Sequence, residues 1–322
     1  MQQFRYVRHQ KKIESILEFL CRRFPYQDGP GWTQAIESGV ITLDGQPTRP
    51  QARLENGQTI GYERERASEP PIDRSFRILY QDPSLLVVEK NGNIPIVESG
   101  RYYKNTLIEV LKEELGFEKL FQVHRLDKET SGVLVVAKSA SVATVLGDQF
   151  AAGSPHKIYQ AVLVGEMATE EVFVDQPIGK VKPLDEGTVR VRQVIDPQGK
   201  PSQSRFRRIK AQGGLSLVEV ELMTGRTHQI RVHAEWLGLP VLGDKLYGQK
   251  DERFLALYKG EAEPEFPPFG RIDRQLLHAS RLNFNHPVTG EPVAFESPCA
   301  PFFAPYPAVA PLFAAEENPT EA

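Results

Sequence analysis

Apolar and polar residues alternate along several stretches of the chain. Over Leu215–Leu222, residues Leu215, Leu217, Glu219 and Glu221 fall on one side and Val218, Val220 and Leu222 on the other, a period of two that predicts a strand. The same alternation predicts strands over Ile158–Val164, Thr188–Val194 and Ser204–Ile209. Arg77–Tyr80 and Leu85–Val88 read as short strands parted by the turn Asp82-Pro83-Ser84, and the unbroken apolar run Val133–Ala137 as a buried strand. Helical spacing is rarer. Ile13, Ile16, Leu17 and Leu20 predict one helix, and Thr33–Glu37, stopped by Gly39, a second. Leu107–Leu115 follows the cap Asn105-Thr106, and Ser139–Phe150 carries Val142, Val145 and Leu146 on one face. Thr227 has the chemistry of an N-cap for a helix in which Ile230, Ala234 and Leu237 share a face and which Gly238 and Pro240 end. Strands outnumber helices, so the expected class is α+β, with a mixed, largely antiparallel sheet.

Punctuation divides the chain. Residues 1–66 form a small α/β unit, in which Val40–Leu43 enters an Asp44-Gly45 turn and Gly57–Tyr62 returns. The proline-bearing stretch 67–75 reads as a linker, 76–300 as the main domain, and the Pro- and Ala-rich segment 301–322 as a flexible tail. Residues 249–274, rich in Glu and Pro, read as a surface insertion.

Bulk composition narrows the class without naming a function. The apolar and charged fractions, 40% and 25%, are those of an ordinary globular protein. The net charge of −3 gives no general affinity for polyanions, so any such affinity must come from local patches. Cys21 and Cys299 lie far apart and outside metal spacing, which fits a reducing compartment. No segment resembles a secretion signal or a membrane span, so a cytoplasmic protein without membrane contact, and a monomer, is expected.

Three stretches carry candidate chemistry. His124-Arg125-Leu126-Asp127-Lys128-Glu129-Thr130-Ser131-Gly132 places an acid on a polar turn that feeds the apolar run Val133–Ala137, where a rigid strand would hold it. An isolated Asp before Thr-Ser-Gly more often serves its own turn. Lys157-Ile158-Tyr159 puts a tyrosine on a strand, where packing is its commonest job. Gly225-Arg226-Thr227-His228-Gln229-Ile230-Arg231-Val232-His233 sets Arg226 at a helix entrance, with its fork free for a carboxylate. His228 and His233 are five apart rather than four, and no Glu follows the first, so no metal is expected there.

Together and in this order, the three stretches closely resemble the RluA-type RNA pseudouridine synthases, over roughly residues 76–298. Leu242–Gly248 (GDKLYG after Leu242), Leu277-His278-Ala279 and His286-Pro287 match further family stretches. The resemblance implies isomerisation of uridine in ribosomal or transfer RNA without a cofactor. It gives catalytic roles to Asp127, as nucleophile or base, to Tyr159, stacked on the base and moving a proton, and to Arg226, paired with Asp127. Arg125 would fill the place of the flipped base, Ile230 would pack beneath the site, and His124, Lys157 and Arg231 would contact substrate or RNA. An Arg beside a buried Asp counters the rise in pKa that burial causes and sets the carboxylate's angle. Lys90-Asn91-Gly92-Asn93 departs from the family's usual Lys-Pro-x-Gly, although Asn also tolerates the left-handed backbone such a turn requires. Residues 1–66 resemble the S-four-like RNA-binding module, with Gly31-Trp32 where that module carries Ser-Arg. A basic group there (Arg5, Arg8, Lys11, Lys12, Arg22, Arg23) is expected to contact RNA phosphates, a solvated helix face being the plain alternative. The other readings are a non-catalytic RNA-binding or ribosome-assembly factor on the same fold, and a glycosidase, which would need a second acid at matching geometry.

Overall fold

The computed structural model describes residues 2–6, 14–24, 28–62, 69–181 and 191–314. Contacts divide the chain between Ser68 and Glu69. In the first unit, α1 (Ile16–Arg23) is opened by a capping box in which Ser15 and Glu18 satisfy each other's backbone N–H groups. The second helix, α2 (Gly29–Glu37), starts four residues earlier than its apolar spacing predicts, because Asp28 caps Gly31 and Pro30 stands in its first turn. The strands β1 (Gln2–Arg5), β2 (Ile41–Leu43), β3 (Gln46–Pro47) and β4 (Thr59–Tyr62) form an antiparallel sheet in the order β1-β4-β2-β3. The Asp44-Gly45 turn is as expected: both residues have positive φ, and the Asp44 carboxylate accepts the N–H of Thr59 at 2.7 Å. Trp32 is fully buried, in a core with Ile16, Leu20, Ile41 and Ile60.

The second unit is built on one ten-stranded sheet. Its strands are β5 (Phe76–Gln81), β6 (Leu85–Lys90), β7 (Phe121–Gln122), β8 (Ser131–Ala137), β9 (His156–Val164), β10 (Glu171–Asp175), β13 (Gln203–Gln212), β14 (Leu215–Leu222), β15 (Leu277–Asn285) and β16 (Pro292–Glu296). A separate ribbon joins β11 (Ile178–Lys180) to β12 (Gln193–Ile195). Residues 188–190 of the strand predicted over Thr188–Val194 lie outside the described residues. The sheet runs β10-β13-β14-β9-β15-β8-β6-β5, with β16 beside β15 and β7 beside β8. Every pairing is antiparallel except β15 with β8, where His278 lies opposite Ser131 and Ala279 opposite Gly132.

That parallel seam positions the site. Gly132 has φ 113°, and a Cβ there would stand 2.2 Å from the Ala279 carbonyl oxygen, so only glycine lets the two strands close. Ala279 also pairs with Tyr159 across β9. The loop that ends at β8 and the Tyr159 side chain therefore lie two strand spacings apart, about 10 Å, at one level of the sheet. Helices α3 (Leu107–Leu115), α4 (Ala140–Ala152), α5 (Gln229–Trp236) and α6 (Asp251–Lys259) complete the unit with α7 (Ala300–Phe303). The tail does not fray at 301: Phe303, Val309 and Leu312 are buried against Leu217, Leu242 and Leu276. The supposed surface insertion likewise contributes Phe266 and Ile272 to that core.

Candidate active site

Asp127 sits on the loop between β7 and β8, and most groups around it serve to hold that loop. Lys90, fully buried at the end of β6, donates from Nζ to the carbonyls of Asn91 (2.8 Å), Lys128 (3.0 Å) and Thr130 (2.7 Å). Burial, with Arg274 nearby, pulls its pKa down to about 7. Arg274 donates to the Glu129 carbonyl and to Ser131 Oγ, both at 3.0 Å, while Gln275 reaches Thr130 Oγ1 at 2.7 Å. The turn before them keeps its shape, since Asn93 takes φ 59°, the left-handed conformation expected of it.

The cation on Asp127 is Arg231, not Arg226. Arg231 Nη1 lies 2.7 Å from Asp127 Oδ2, and its other edge grips Asp244 through Nε (2.5 Å) and Nη2 (2.8 Å). Asp244 is fully buried and also accepts the N–H groups of Leu246 (2.9 Å) and Tyr247 (3.0 Å). One guanidinium thus bridges a fixed acid and the acid at the cleft. The helix start also differs from the one its spacing predicts. Thr227 does not cap it; His228 occupies the N-cap position in a left-handed conformation (φ 57°), and the helix begins at Gln229. Arg231 is then in the first turn, aimed at the loop, whereas Arg226 stays exposed and donates to the Pro201 carbonyl at 3.1 Å.

Burial of Asp127 pushes its pKa up, but Arg231, then His228, the Arg231 hydrogen bond and Arg125 outweigh that and leave it lowered. His228 is itself held down at about 4, by burial and then by Arg231, so it is neutral at neutral pH. The lowering there therefore rests on the arginines, Arg231 before Arg125. Tyr159 moves the other way: burial, then the charge of Asp127, raises its pKa, so its hydroxyl keeps its proton. Among the described residues that hydroxyl has no hydrogen-bond partner. It faces the cleft that Arg125, Asp127, Arg226, His228, Ile230 and Arg231 also line.

The remaining predicted residues divide. Arg125 is exposed at the cleft, and Ile230 is buried beneath it as expected. His124, expected to contact RNA, is packed into the fold. Its ring stacks on Phe150 (4.5 Å, 8°) and its Nε2 accepts the Val135 N–H at 3.1 Å, with burial pulling its pKa down to about 3. Lys157 is nearly buried, its pKa lowered by burial and then by Arg226, and it does not line the cleft. Arg22 is tied to Glu14 (2.7 Å), and Arg23 lies over the Phe24 ring at 5.3 Å. Arg8, Lys11 and Lys12 are outside the described residues. Asp244, Tyr247 and the Lys90 anchor were not singled out for the site by sequence. For Asp244 and Tyr247 the available signal was the acid and phenol inside Gly-Asp-Lys-Leu-Tyr-Gly, a short stretch downstream of Arg231.

Residues 84–236 match the RNA pseudouridylate synthase family, a span that contains Asp127, Tyr159 and Arg231 and stops short of Asp244 and Tyr247. The chain is 32% identical over 295 residues to ribosomal large subunit pseudouridine synthase D of Xanthomonas campestris, covering 89% of this chain and 85% of that one. It is 30% identical to the mitochondrial tRNA pseudouridine(32) synthase of Saccharomyces cerevisiae, over 74% of this chain and 51% of that one. Among solved structures, human RNA pseudouridylate synthase domain containing 1 superposes with a TM-score of 0.56 at 30% identity, over 74% of this chain and 89% of that one. The chain belongs to the RNA pseudouridylate synthase family.

Proposed function

We propose that this chain isomerises uridine to pseudouridine in ribosomal or transfer RNA, with Asp127 as the group that attacks the sugar or removes one of its protons. The observation that carries this reading is the Asp127 carboxyl, held by Arg231 at 2.7 Å in a cleft that Tyr159 also lines. The reaction breaks the bond from N1 to the sugar, turns the uracil and rejoins it through C5, which loses its hydrogen as a proton while N1 gains one. Nothing is oxidised and no group is lost, so the chemistry calls for no cofactor. Tyr159 stacks on the extruded base, and since its phenol stays protonated it serves as a donor rather than as a phenolate base. Arg226 is placed at the cleft to meet a phosphate, and Arg125 to occupy the vacated stack. Extrusion costs least where pairing is absent, which favours a loop or bulge uridine.

The test is tritium release from RNA carrying 5-³H-uridine, with pseudouridine mapping of total RNA from cells with and without the gene to locate the site. Released tritium in step with new pseudouridine is expected; RNA binding without either would leave the alternative, a binding or assembly factor. We also read the N-terminal unit as an RNA-contacting module, on its topology and on Arg22 and Arg23 at the end of α1. Removing residues 1–68 should weaken RNA binding and flatten its dependence on salt; an unchanged slope would assign the phosphate contacts to the second unit.

A further inference from the structure

His228 is held in a state that a mere spacer would not need. Its backbone is left-handed, a conformation costly for a residue with a side chain and retained where the surroundings demand it. Its Nδ1 lies 2.9 Å from the hydroxyl of Tyr247. That hydroxyl already accepts the Gln193 N–H at 2.9 Å, and Tyr247 is almost completely buried. A phenol has one proton. If it did not go to His228 Nδ1, it would be a buried donor with no partner. Nδ1 is thus the accepting nitrogen, and the imidazole proton sits on Nε2.

Nε2 points into the cleft. It stands 3.9 Å from Asp127 Oδ1, too far for a hydrogen bond, and has no acceptor within reach among the described residues. Oδ2 is occupied by Arg231, so Oδ1 is the oxygen left to act on substrate. Whichever route Asp127 takes, Oδ1 must approach C1′ of the ribose or the hydrogen on C2′. The oxygens beside those carbons are the 2′-oxygen and the ring oxygen. The ring oxygen loses electron density as the glycosidic bond breaks and becomes a poor acceptor, while a hydrogen bond at the 2′ position strengthens in such a transition state.

We propose that His228, as a neutral imidazole protonated on Nε2, donates a hydrogen bond to the 2′-oxygen of the extruded uridine, and that Tyr247 is the positioning residue that fixes this tautomer. The proposal rests on the pseudouridine-forming reading above. It gives the cleft a direct means of distinguishing RNA from DNA, through the 2′-hydroxyl itself.

The experiment uses the full chain and the RNA stem-loop that the wild-type chain modifies. His228→Ala should lower the single-turnover rate about ten- to hundredfold, as leaving one buried substrate oxygen without its donor does. His228→Gln, which keeps a donor at similar reach, should recover part of that. In the Asp127→Asn background, replacing the target uridine by 2′-deoxyuridine should weaken binding about three- to tenfold, and this penalty should vanish when His228→Ala is added. Imidazole ¹⁵N shifts should show Nε2 protonated in the wild type and a mixture of tautomers in Tyr247→Phe, a readout that lost packing alone would not move. A His228→Ala rate within twofold of wild type, an undiminished 2′-deoxy penalty in that variant, or an Nδ1-protonated ring would each overturn the proposal. If the wild-type chain modifies no uridine, the broader reading fails instead, and the two failures are distinct.

Discussion

Asp127→Asn is expected to reduce pseudouridine formation on the order of 10⁴-fold or more while the protein stays folded and binds its RNA with nearly unchanged affinity. The first half follows from chemistry: an amide is neither a nucleophile toward a sugar carbon nor a base, and losing such a group costs rates of this size. The second half follows from the wiring around it. Asn has the same shape, and the guanidinium that loses its charge partner at 2.7 Å still holds both oxygens of Asp244. No buried cation is orphaned, and the Lys90, Arg274 and Gln275 contacts that shape the loop involve neighbours of Asp127 rather than its side chain. Tritium release and a filter-binding titration read the two halves separately. Turnover within a hundredfold of wild type would remove Asp127 from the chemistry, and lost binding with lost structure would make it architectural. Because the carboxyl pKa is lowered, its charge is present above the ordinary value near 4 and is lost only as pH falls through the lower, folded value. The wild-type rate should therefore show no acid limb above about pH 5 that belongs to this group.

The parts of the molecule that follow from short-range pattern are legible in the sequence itself. The alternation over Leu215–Leu222 is β14 residue for residue, the capped segment Leu107–Leu115 is α3 with the Thr106 cap in place, and Asn93 does adopt the left-handed turn. Asp127, Tyr159 and Ile230 meet at one cleft, because a family signature encodes which residues the β8–β15–β9 seam brings together. What local pattern misses is information carried by long-range contact. Thr227 has the chemistry of a cap, but the left-handed His228 takes that position, and the arginine that faces the acid is Arg231 in the helix's first turn, while Arg226 before it meets the Pro201 carbonyl. The composition of 301–322 suggests a loose tail, yet Phe303, Val309 and Leu312 are spaced well enough to cover a patch of core that only the folded sheet creates. His124 sits beside the acid in sequence and reads as a site residue; stacked on Phe150 of α4, it anchors the loop. Nothing local in Gly-Asp-Lys-Leu-Tyr-Gly says that its acid completes an ion triad with Asp127 and Arg231.

The same triad makes Arg231 the second position of large effect, and Arg226 its control. Arg231→Ala should lower kcat/KM at least about 10²-fold and also destabilise the fold by about 3–5 kcal/mol, since it strands the fully buried Asp244 without its cation. Arg231→Lys keeps a charge but not the fork: an ammonium has one centre where the guanidinium touches two acids through three nitrogens, so partial stability with poor activity is expected. The pH profile separates the two losses. Without Arg231, the largest influence opposing burial at Asp127 is gone, so the carboxyl protonates at higher pH than in the wild type and the residual activity of the variant should gain an acid limb that begins at higher pH. Adding Asp244→Asn to Arg231→Ala should restore much of the stability, by neutralising the stranded charge, and none of the activity. Arg226→Ala should leave the acid side of the profile and the melting temperature unchanged and weaken only RNA binding and its salt dependence, because its guanidinium meets the Pro201 carbonyl and solvent rather than Asp127. A new acid limb in Arg226→Ala, with none in the Arg231 variants, would return the role to the arginine that the motif first suggested.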